Sequence, residues 1–165
     1  MSANLNDAIT RAKELLATAH NAAMATVNED GSPHNTPFYF THDDKLKRIY
    51  WSSFPGSLHS RNVVRTGQIF VVLYEANAGG GLYISAKDAH ELHDSELAAA
   101  LLIHNELRAQ NGKPPLEIED YQADNGQRLY SATPIKFYVN YGRRDHDGKL
   151  AENIRQEVSP TQLLQ

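Results

Sequence analysis

Side chains that can bind an anion are concentrated between residues 52 and 61. They are Ser52, Ser53, Ser57, His59, Ser60 and Arg61, and each can donate a hydrogen bond to a phosphate oxygen. Phe54-Pro55-Gly56 is a turn sequence, and Ser57 follows it at the N-cap position of a predicted helix. The first amides of a helix lack intrahelical partners and lie at the positive end of the helix dipole. The segment therefore predicts a phosphate-binding turn.

The same residues also fit a purely structural interpretation. Ser57 would then only cap the helix, His59 would be a surface histidine, and Arg61 and Arg65 would form a solvated face one helical turn apart. No glycine-rich phosphate-binding fingerprint is present to decide between the two interpretations. The spacing of these residues alone leaves both open.

The elements that must position this turn follow from hydrophobic periodicity. Helices are predicted over residues 4–20, 57–66 and 94–110, and strands over residues 21–28, 33–41, 47–53, 68–75, 82–86 and 128–141. Residues 68–75 are almost continuously apolar, which indicates a buried strand. Because tight turns join most neighbouring strands, the sequence predicts a mainly β fold with flanking helices, in which an antiparallel sheet closes into a small barrel.

Length and composition predict one globular domain. The chain has 165 residues, of which 41% are hydrophobic, and this is enough to bury a substantial core. The domain is expected over residues 1–142, with residues 111–126 as a loop. Residues 143–165 are polar and are expected to form a C-terminal tail, either a partly ordered arm or a segment that reaches a partner subunit.

Charge and composition exclude several partners. The formal net charge is −4, and the longest block of basic residues is Arg143-Arg144, so neither nucleic acid nor an anionic membrane is expected to bind. The absence of cysteine excludes disulfides and thiolate metal sites. The first residues do not resemble a signal peptide and no apolar run is long enough to span a membrane, which predicts a cytoplasmic location.

Two further motifs are not interpreted as sites. The glycines at 79–81 precede a predicted strand, whereas a phosphate-binding loop would precede a helix, so residues 77–81 are predicted to form a hairpin turn. His90 and His93 flank Glu91-Leu92, but the zinc hydrolase signature needs two residues between its glutamate and its second histidine. No metal site is predicted at this position.

An ordered set of segments resembles the pyridoxamine 5′-phosphate oxidase-like family of FMN-binding split barrels. The segments are ATVNEDGSPHNTPFYF at 25–40, the aromatic strand that ends in WSS at 51–53, PGSLHSRNV at 55–63 and IFVVLYE at 69–75. The resemblance covers roughly residues 8–140. It implies a six-stranded antiparallel split β-barrel and a homodimer that holds FMN in a groove at the dimer interface.

The resemblance also implies which residues contact the cofactor. Ser52, Ser53, Ser57, His59 and Arg61 match the phosphate-binding segment, and Asn62 in the same short helix is expected to fix the helix. Asn35, Thr36, Pro37 and Phe38 match the strand that runs beside the flavin ring. The flavin itself would transfer a hydride or electrons to a small substrate, so no catalytic side chains are predicted.

The chain departs from true pyridoxamine phosphate oxidases in two places. Those enzymes carry an arginine and a lysine in the second-strand segment, where residues 36–40 are uncharged, and their C-terminal substrate-binding pattern is not reproduced by Arg143-Arg144-Asp145-His146. These departures favour a related FMN-dependent oxidoreductase or flavin reductase over oxidation of vitamin B6 phosphates. A deazaflavin-dependent reductase and a non-catalytic flavin-binding or stress protein remain alternatives.

Overall fold

A computed structural model describes residues 4–19, 21–75, 78–122, 124 and 126–165 of the chain. His20 of the predicted first helix, Asn77 of the predicted glycine turn, and residues 123 and 125 of the predicted loop lie outside the described residues. The helices are α1 (Leu5–Thr18), α2 (Leu58–Thr66), α3 (Asp94–Gln110), α4 (Ile118–Gln122) and α5 (Pro160–Leu164). The strands are β1 (Asn21–Val27), β2 (Pro33–Tyr39), β3 (Thr41–His42), β4 (Ile49–Ser53), β5 (Ile69–Glu75), β6 (Ala78–Glu91), β7 (Arg128–Arg144) and β8 (Leu150–Val158).

The strands form one antiparallel sheet in the order β2-β1-β5-β6-β7-β4-β3, with β8 paired to β7. The sheet curves until β2 and β4, near its two ends, approach each other. The ring centroids of Phe38 on β2 and Trp51 on β4 are 6.2 Å apart. No hydrogen-bonded ladder joins β2 to β4 among the described residues, so the barrel is split along this line. The predicted mainly β split barrel with flanking helices is confirmed.

The interior of the barrel is filled by the inward-facing residues, which alternate with outward-facing ones along each strand. Met24, Trp51, Val71, Ile84 and Tyr130 are all fully buried there. The Trp51 and Tyr130 rings stack at 5.6 Å across the β4–β7 pair. This stack fixes the end of β4, from which the turn into α2 begins.

A second, smaller core covers the outer face of β4 and β7. It consists of Tyr50, Leu92, Leu97, Ala100, Leu101, Tyr121 and Leu129, contributed by the two strands, the end of β6, α3 and α4. Residues on β4 therefore alternate between two buried environments. Trp51 and Ser53 face the barrel side, whereas Tyr50 and Ser52 face α3 and α4.

The described residues form eight strands where six were predicted, and the two additional strands have weak sequence signals. β3 has only two residues, because the predicted strand 33–41 is interrupted at Phe40. β8 belongs to the predicted tail and pairs with β7 from Phe137↔Val158 to Arg144↔Leu150. Most of its residues are exposed, so it lacks the apolar alternation by which half-buried strands are recognised.

Two other segments differ from the prediction. β6 begins at Ala78 and includes the glycines predicted as a turn, and a Cβ at Gly81 would lie 2.7 Å from the carbonyl oxygen of Leu73. Glycine is thus required there by close strand packing. The predicted loop 111–126 contains the single-turn helix α4, which is anchored by the buried ring of Tyr121.

Among the described residues, no helix has both the length and the apolar composition needed to cross a membrane.

Candidate anion-binding site at the start of α2

The strand, turn and helix predicted for residues 47–66 are present and bring several polar side chains together. β4 ends at Ser53, a turn follows, and Ser57 adopts the extended N-cap conformation before α2. The Ser57 amide donates to the carbonyl oxygen of Phe54 at 3.0 Å, which closes the turn. The last residue of β4 and the first turn of α2 are therefore held next to each other.

Three serine hydroxyls and one imidazole form a connected cluster at this junction. The Nε2 atom of His59 lies 2.6 Å from Oγ of Ser53 and 3.1 Å from Oγ of Ser57. The Ser53 and Ser57 hydroxyls are 3.1 Å apart, and Oγ of Ser60 lies 2.9 Å from that of Ser57 and 3.1 Å from that of Ser53. We refer to Ser53, Ser57, His59 and Ser60 as the serine–histidine cluster.

The N-cap side chain leaves the first turn of α2 without a capping hydrogen bond. The Ser57 side chain makes no capping hydrogen bond to the helix, and its hydroxyl donates instead to the Phe54 carbonyl at 2.8 Å. The first intrahelical bond is donated by the Arg61 amide to the carbonyl of Ser57. The amides that precede Arg61 consequently keep the orientation and partial positive charge that favour a phosphate at a helix N-terminus.

A second imidazole adjoins the cluster from β2. The rings of His34 and His59 stack with a centroid distance of 6.4 Å and an angle of 4° between their planes. Burial lowers the pKa of His59, and the nearby His34 lowers it further. His34 was not among the predicted site residues, because only the β1–β2 register, in which His34 pairs with Thr26 beside α2, brings it to this position.

The remaining polar residues of α2 make contacts that hold the helix. The guanidinium of Arg61 donates to the carbonyl of Gly56, and that of Arg65 donates to the carbonyl of Val27. Asn62 is 3% exposed, and its amide donates to Oγ1 of Thr26 at 3.1 Å and to Oδ1 of Asn28 at 2.8 Å. Asn62 thus anchors α2 to the end of β1. The Arg61 side chain folds back onto Gly56 in the turn that precedes α2.

Ser52 lies on the opposite face of β4 from the serine–histidine cluster. Its hydroxyl is 2.7 Å from the Tyr121 hydroxyl and 3.4 Å from Nε2 of His104, whose Nδ1 is 3.0 Å from Oγ1 of Thr41. His104 is 1% exposed, and burial, together with the positive charges of Arg108 and Lys113, lowers its pKa to about 4. These side chains form a buried polar chain that fastens α3 and α4 to the sheet.

The predicted flavin-side residues of β2 also divide between two faces. Asn35 and Pro37 are exposed on the outer face, whereas Phe38 points into the barrel core against Trp51. Thr36 is half-buried on the same side as Phe38. β2 is the last strand at its end of the sheet, so its outer edge offers backbone donors and acceptors along the split.

A cavity of about 630 Å³ lies on the outer face of β1, β5 and β6. Its lining includes Ala25, Val27, Phe70, Ser85 and Ile135. Thr26, between Ala25 and Val27, points the other way and bonds to Asn62 of α2. The cavity and the serine–histidine cluster therefore lie on opposite faces of β1.

The histidines at 90 and 93 are engaged in local contacts. Nδ1 of His90 lies 2.6 Å from the carbonyl oxygen of Asp88 and its Nε2 lies 3.6 Å from Glu96, whereas Nε2 of His93 lies 3.9 Å from Glu91. Within the described part of the chain, no three or more histidine, aspartate or glutamate side chains are grouped so that they could hold a metal ion.

Comparisons with known proteins identify relatives of this fold. The family model described as pyridoxamine 5′-phosphate oxidase matches residues 9–144. No curated protein matches the chain. Three solved structures illustrate the likeness, and each shares less than 25% identity with the chain, so they show the fold alone.

The three structures carry the names of different cofactors. A heme binding protein from Mycobacterium smegmatis is 13% identical with a TM-score of 0.65 over 95% of this chain and 60% of its own. An F420 reductase is 15% identical with a TM-score of 0.54 over 76% and 94%. A pyridoxamine 5′-phosphate oxidase-related, FMN binding protein from Nostoc punctiforme is 14% identical with a TM-score of 0.53 over 92% and 93%. The choice between cofactors must therefore come from the residues of this chain.

Proposed function

The chain belongs to the pyridoxamine 5′-phosphate oxidase family, and we propose that it is an FMN-dependent oxidoreductase that binds the phosphate of FMN at the serine–histidine cluster. The observation that carries the proposal is the convergence of Ser53, Ser57 and His59 on the uncapped first turn of α2. Hydroxyls, an imidazole and free helix amides are the donors that a phosphate monoester needs.

The donor set fits a phosphate group in both charge and geometry. The imidazole of His59 can donate a hydrogen bond to a phosphate, and the hydroxyls of Ser53 and Ser57 can rotate to donate to phosphate oxygens. In the structure, these hydroxyls bond to one another and to His59. Binding would exchange those neutral hydrogen bonds for charge-assisted ones, which are roughly twice as strong.

The split between β2 and β4 supports a planar ring beside this cluster. The outer edge of β2 from Asn35 to Phe38 is not paired with another strand among the described residues, so its amides and carbonyls can bond the polar edge of a flavin. When bound, FMN supplies hydride or electron transfer. The protein's own contribution is to grip the phosphate, orient the ring and exclude water.

The apolar outer face supports a homodimer. Val27 and Ile135 are each 49% exposed and line the large cavity together with Ala25 and Phe70. An exposed apolar sheet face of this kind is typical of a protein–protein interface. We propose that a second copy covers it and completes the flavin groove, and that a small molecule enters as substrate. A cytoplasmic location stays a prediction.

Comparison of FMN with riboflavin tests the phosphate site directly. Riboflavin lacks the phosphate, so the proposal expects the full-length protein to bind FMN at least about 100-fold more tightly, which corresponds to two charge-assisted hydrogen bonds. Quenching of flavin fluorescence gives both dissociation constants. Equal affinities, or no binding of FMN, would contradict the proposal.

The same purified protein distinguishes two alternative functions, a deazaflavin-dependent reductase and a non-catalytic flavin-binding protein. The fold shared with the F420 reductase makes a deazaflavin the second candidate, and tighter binding of F420 than of FMN would favour it. Bleaching of the bound FMN by NADH or NADPH under anaerobic conditions supports the oxidoreductase. A protein that binds FMN but is not reduced by either nicotinamide would be a non-catalytic flavin-binding protein.

A further inference from the structure

A small cavity lies between α3 and the outer faces of β4 and β7. It has a volume of about 170 Å³ and is lined by Arg48, Tyr50, Leu92, Glu96, Ala99, Ala100, Ile103 and Ser131. Tyr50 and Ser131 are directly opposite each other in the β4–β7 ladder, so both point to the α3 side of the sheet. The cavity is thus separated by the thickness of the sheet from the serine–histidine cluster, and its function is independent of that site.

Two polar side chains of the cavity each have a buried atom without a hydrogen-bond partner in the described part of the chain. Ser131 is 1% exposed, and its hydroxyl makes no hydrogen bond within the described part of the chain. The Nη1 atom of Arg48 is also buried without a hydrogen bond, and Arg48 forms no ion pair with any described residue. Unsatisfied buried donors cost free energy, and the large majority in folded proteins have a partner.

Neither Asp43 nor Glu96 forms an ion pair with Arg48 among the described residues. Asp43 accepts hydrogen bonds from the backbone amides of Lys45 at 3.1 Å and Lys47 at 2.8 Å. Glu96 lines the cavity, but its side chain is 60% exposed and lies 3.6 Å from His90. A guanidinium next to a buried hydroxyl is an arrangement that binds an oxyanion, and a carboxylate can accept hydrogen bonds from both groups.

The aliphatic wall of the cavity indicates which group the ligand carries besides its carboxylate. Leu92, Ala99, Ala100 and Ile103 present only aliphatic groups to the cavity, which would not solvate a phosphate or sulfate. The volume is well below the roughly 300–1,000 Å³ of pockets that hold drug-sized ligands. We propose that the cavity binds a short-chain aliphatic monocarboxylate, with its carboxylate on Arg48 and Ser131 and its alkyl chain against α3.

Titration of the ¹⁵N-labelled full-length protein with sodium butyrate tests this site. The amide signals of Ala99, Ala100 and Ser131 are expected to shift with one saturating dissociation constant. Butyramide has the same shape without the charge, and it is expected to bind about tenfold more weakly, because it forms no ion pair with Arg48 and its NH2 group cannot accept a second hydrogen bond. Unsaturable or scattered shifts, or equal binding of butyramide, would overturn the proposal.

Substitutions assign the binding to the two unpartnered groups. Arg48→Gln is expected to weaken butyrate binding at least about tenfold, and Ser131→Ala at least about threefold. Lys47→Gln removes an adjacent exposed charge and is expected to leave the affinity within about twofold. Unchanged affinity in both Arg48→Gln and Ser131→Ala would sink the assignment. If Arg48→Gln does not fold, Ser131→Ala and the butyramide comparison decide the outcome.

Discussion

His34 on β2 and His59 on α2 stack with nearly parallel rings, 6.4 Å between centroids. The pair joins two elements that are 19 residues or more apart in sequence, since β2 ends at Tyr39 and α2 begins at Leu58. Burial and the neighbouring His34 lower the pKa of His59. The protonated form of His59 is therefore disfavoured in the structure, and a bound anion would offset this cost, which would link phosphate binding to pH.

The affinity for FMN is expected to fall as pH rises. A bound phosphate would stabilise the protonated form of His59 and raise its pKa, so the affinity is lost as pH rises through the pKa of His59 in the complex. We expect FMN to bind roughly 3- to 10-fold more weakly at pH 8 than at pH 6.5, because the ion pair between the phosphate and the His59 imidazolium is lost when His59 deprotonates. The second ionisation of the phosphate, near pH 6, opposes this trend only at lower pH.

Fluorescence titrations at pH 6.5, 7.2 and 8 measure this effect. His59→Ala should both weaken binding and flatten its pH dependence, whereas His146→Ala, at a side chain that is 89% exposed, should change neither. An unchanged slope in His59→Ala would show that another group is responsible for the pH dependence.

Ser52 and Ser53 provide a test of the site that relies on strand geometry. Only Ser53 faces His59 and Ser57, because the adjacent Ser52 points to Tyr121 on the other side of β4. Ser53→Ala is expected to weaken FMN binding about 10-fold or more through loss of one bond to a charged group. Ser52→Ala is expected to leave FMN affinity within about twofold while it lowers the free energy of unfolding by about 1 kcal/mol.

The two variants make the same chemical change on opposite faces of β4. A difference in FMN affinity between them therefore reports on which face the phosphate binds. Flavin fluorescence gives the affinities and urea denaturation gives the stabilities. A larger loss of FMN affinity in Ser52→Ala than in Ser53→Ala would place the phosphate elsewhere.

Asn62 is expected to contribute to stability through its two bonds to β1. Asn62→Ala removes the donor to the buried Oγ1 of Thr26 and the donor to Asn28. We expect the free energy of unfolding to fall by about 1 to 3 kcal/mol, the cost of leaving buried polar groups without partners. Asn153→Ala on the exposed face of β8 is a matched control and should change it by less than about 0.5 kcal/mol. Urea denaturation monitored by Trp51 fluorescence distinguishes the two.

The sequence predicted those parts of the fold and site that depend on local patterns. The apolar run of β5, the amphipathic face of α1 with its Asn4 cap, and the turn into α2 are all encoded within a few neighbouring residues. His34 could not be found in this way, because it reaches His59 only through pairing of β1 with β2 and packing of α2.

The sequence also did not show that the Ser52 side chain points to the α3 and α4 side of β4. Both serines lie in a strand that is buried on both faces, so hydropathy does not indicate which side each residue takes. β8 was not predicted because its side chains are mostly exposed and polar. It is held in the sheet by backbone hydrogen bonds to β7. The common cause is that long-range register carries no local sequence signal.

The proposed homodimer can be tested on the apolar face of the sheet. Ile135 is 49% exposed and lines the large cavity, so Ile135→Asp would place a charge in the proposed interface. We expect dissociation to monomers and loss of FMN binding, because desolvation of an unpaired carboxylate costs several kcal/mol. Glu152→Gln on the exposed strand β8 should leave the dimer intact. Analytical ultracentrifugation measures the mass, and a wild-type monomer would contradict the dimer.

His104 is expected to make stability depend on pH between about 4 and 6.5. Its pKa in the folded protein is lowered to about 4 by burial and by Arg108 and Lys113, so the unfolded chain binds the proton more tightly. The stability that arises from this difference is fully present above pH 6.5 and is lost as pH falls toward 4. At pH 4.5 the loss should be about 2 to 3 kcal/mol relative to pH 7. Breaking the contacts of His104 with Thr41 and Ser52 would release α3 from the sheet.

Urea denaturation of wild type and His104→Gln at pH 7 and pH 4.5 isolates this contribution from that of the carboxylates. His104→Gln should be less stable at pH 7, because it alters the buried polar chain, but it should lose less stability on acidification. His146→Gln, at an exposed position, should follow the wild type at both pH values. If His104→Gln and wild type lost equal stability between pH 7 and pH 4.5, His104 would have to titrate alike in the folded and unfolded chains, contrary to its burial beneath α3.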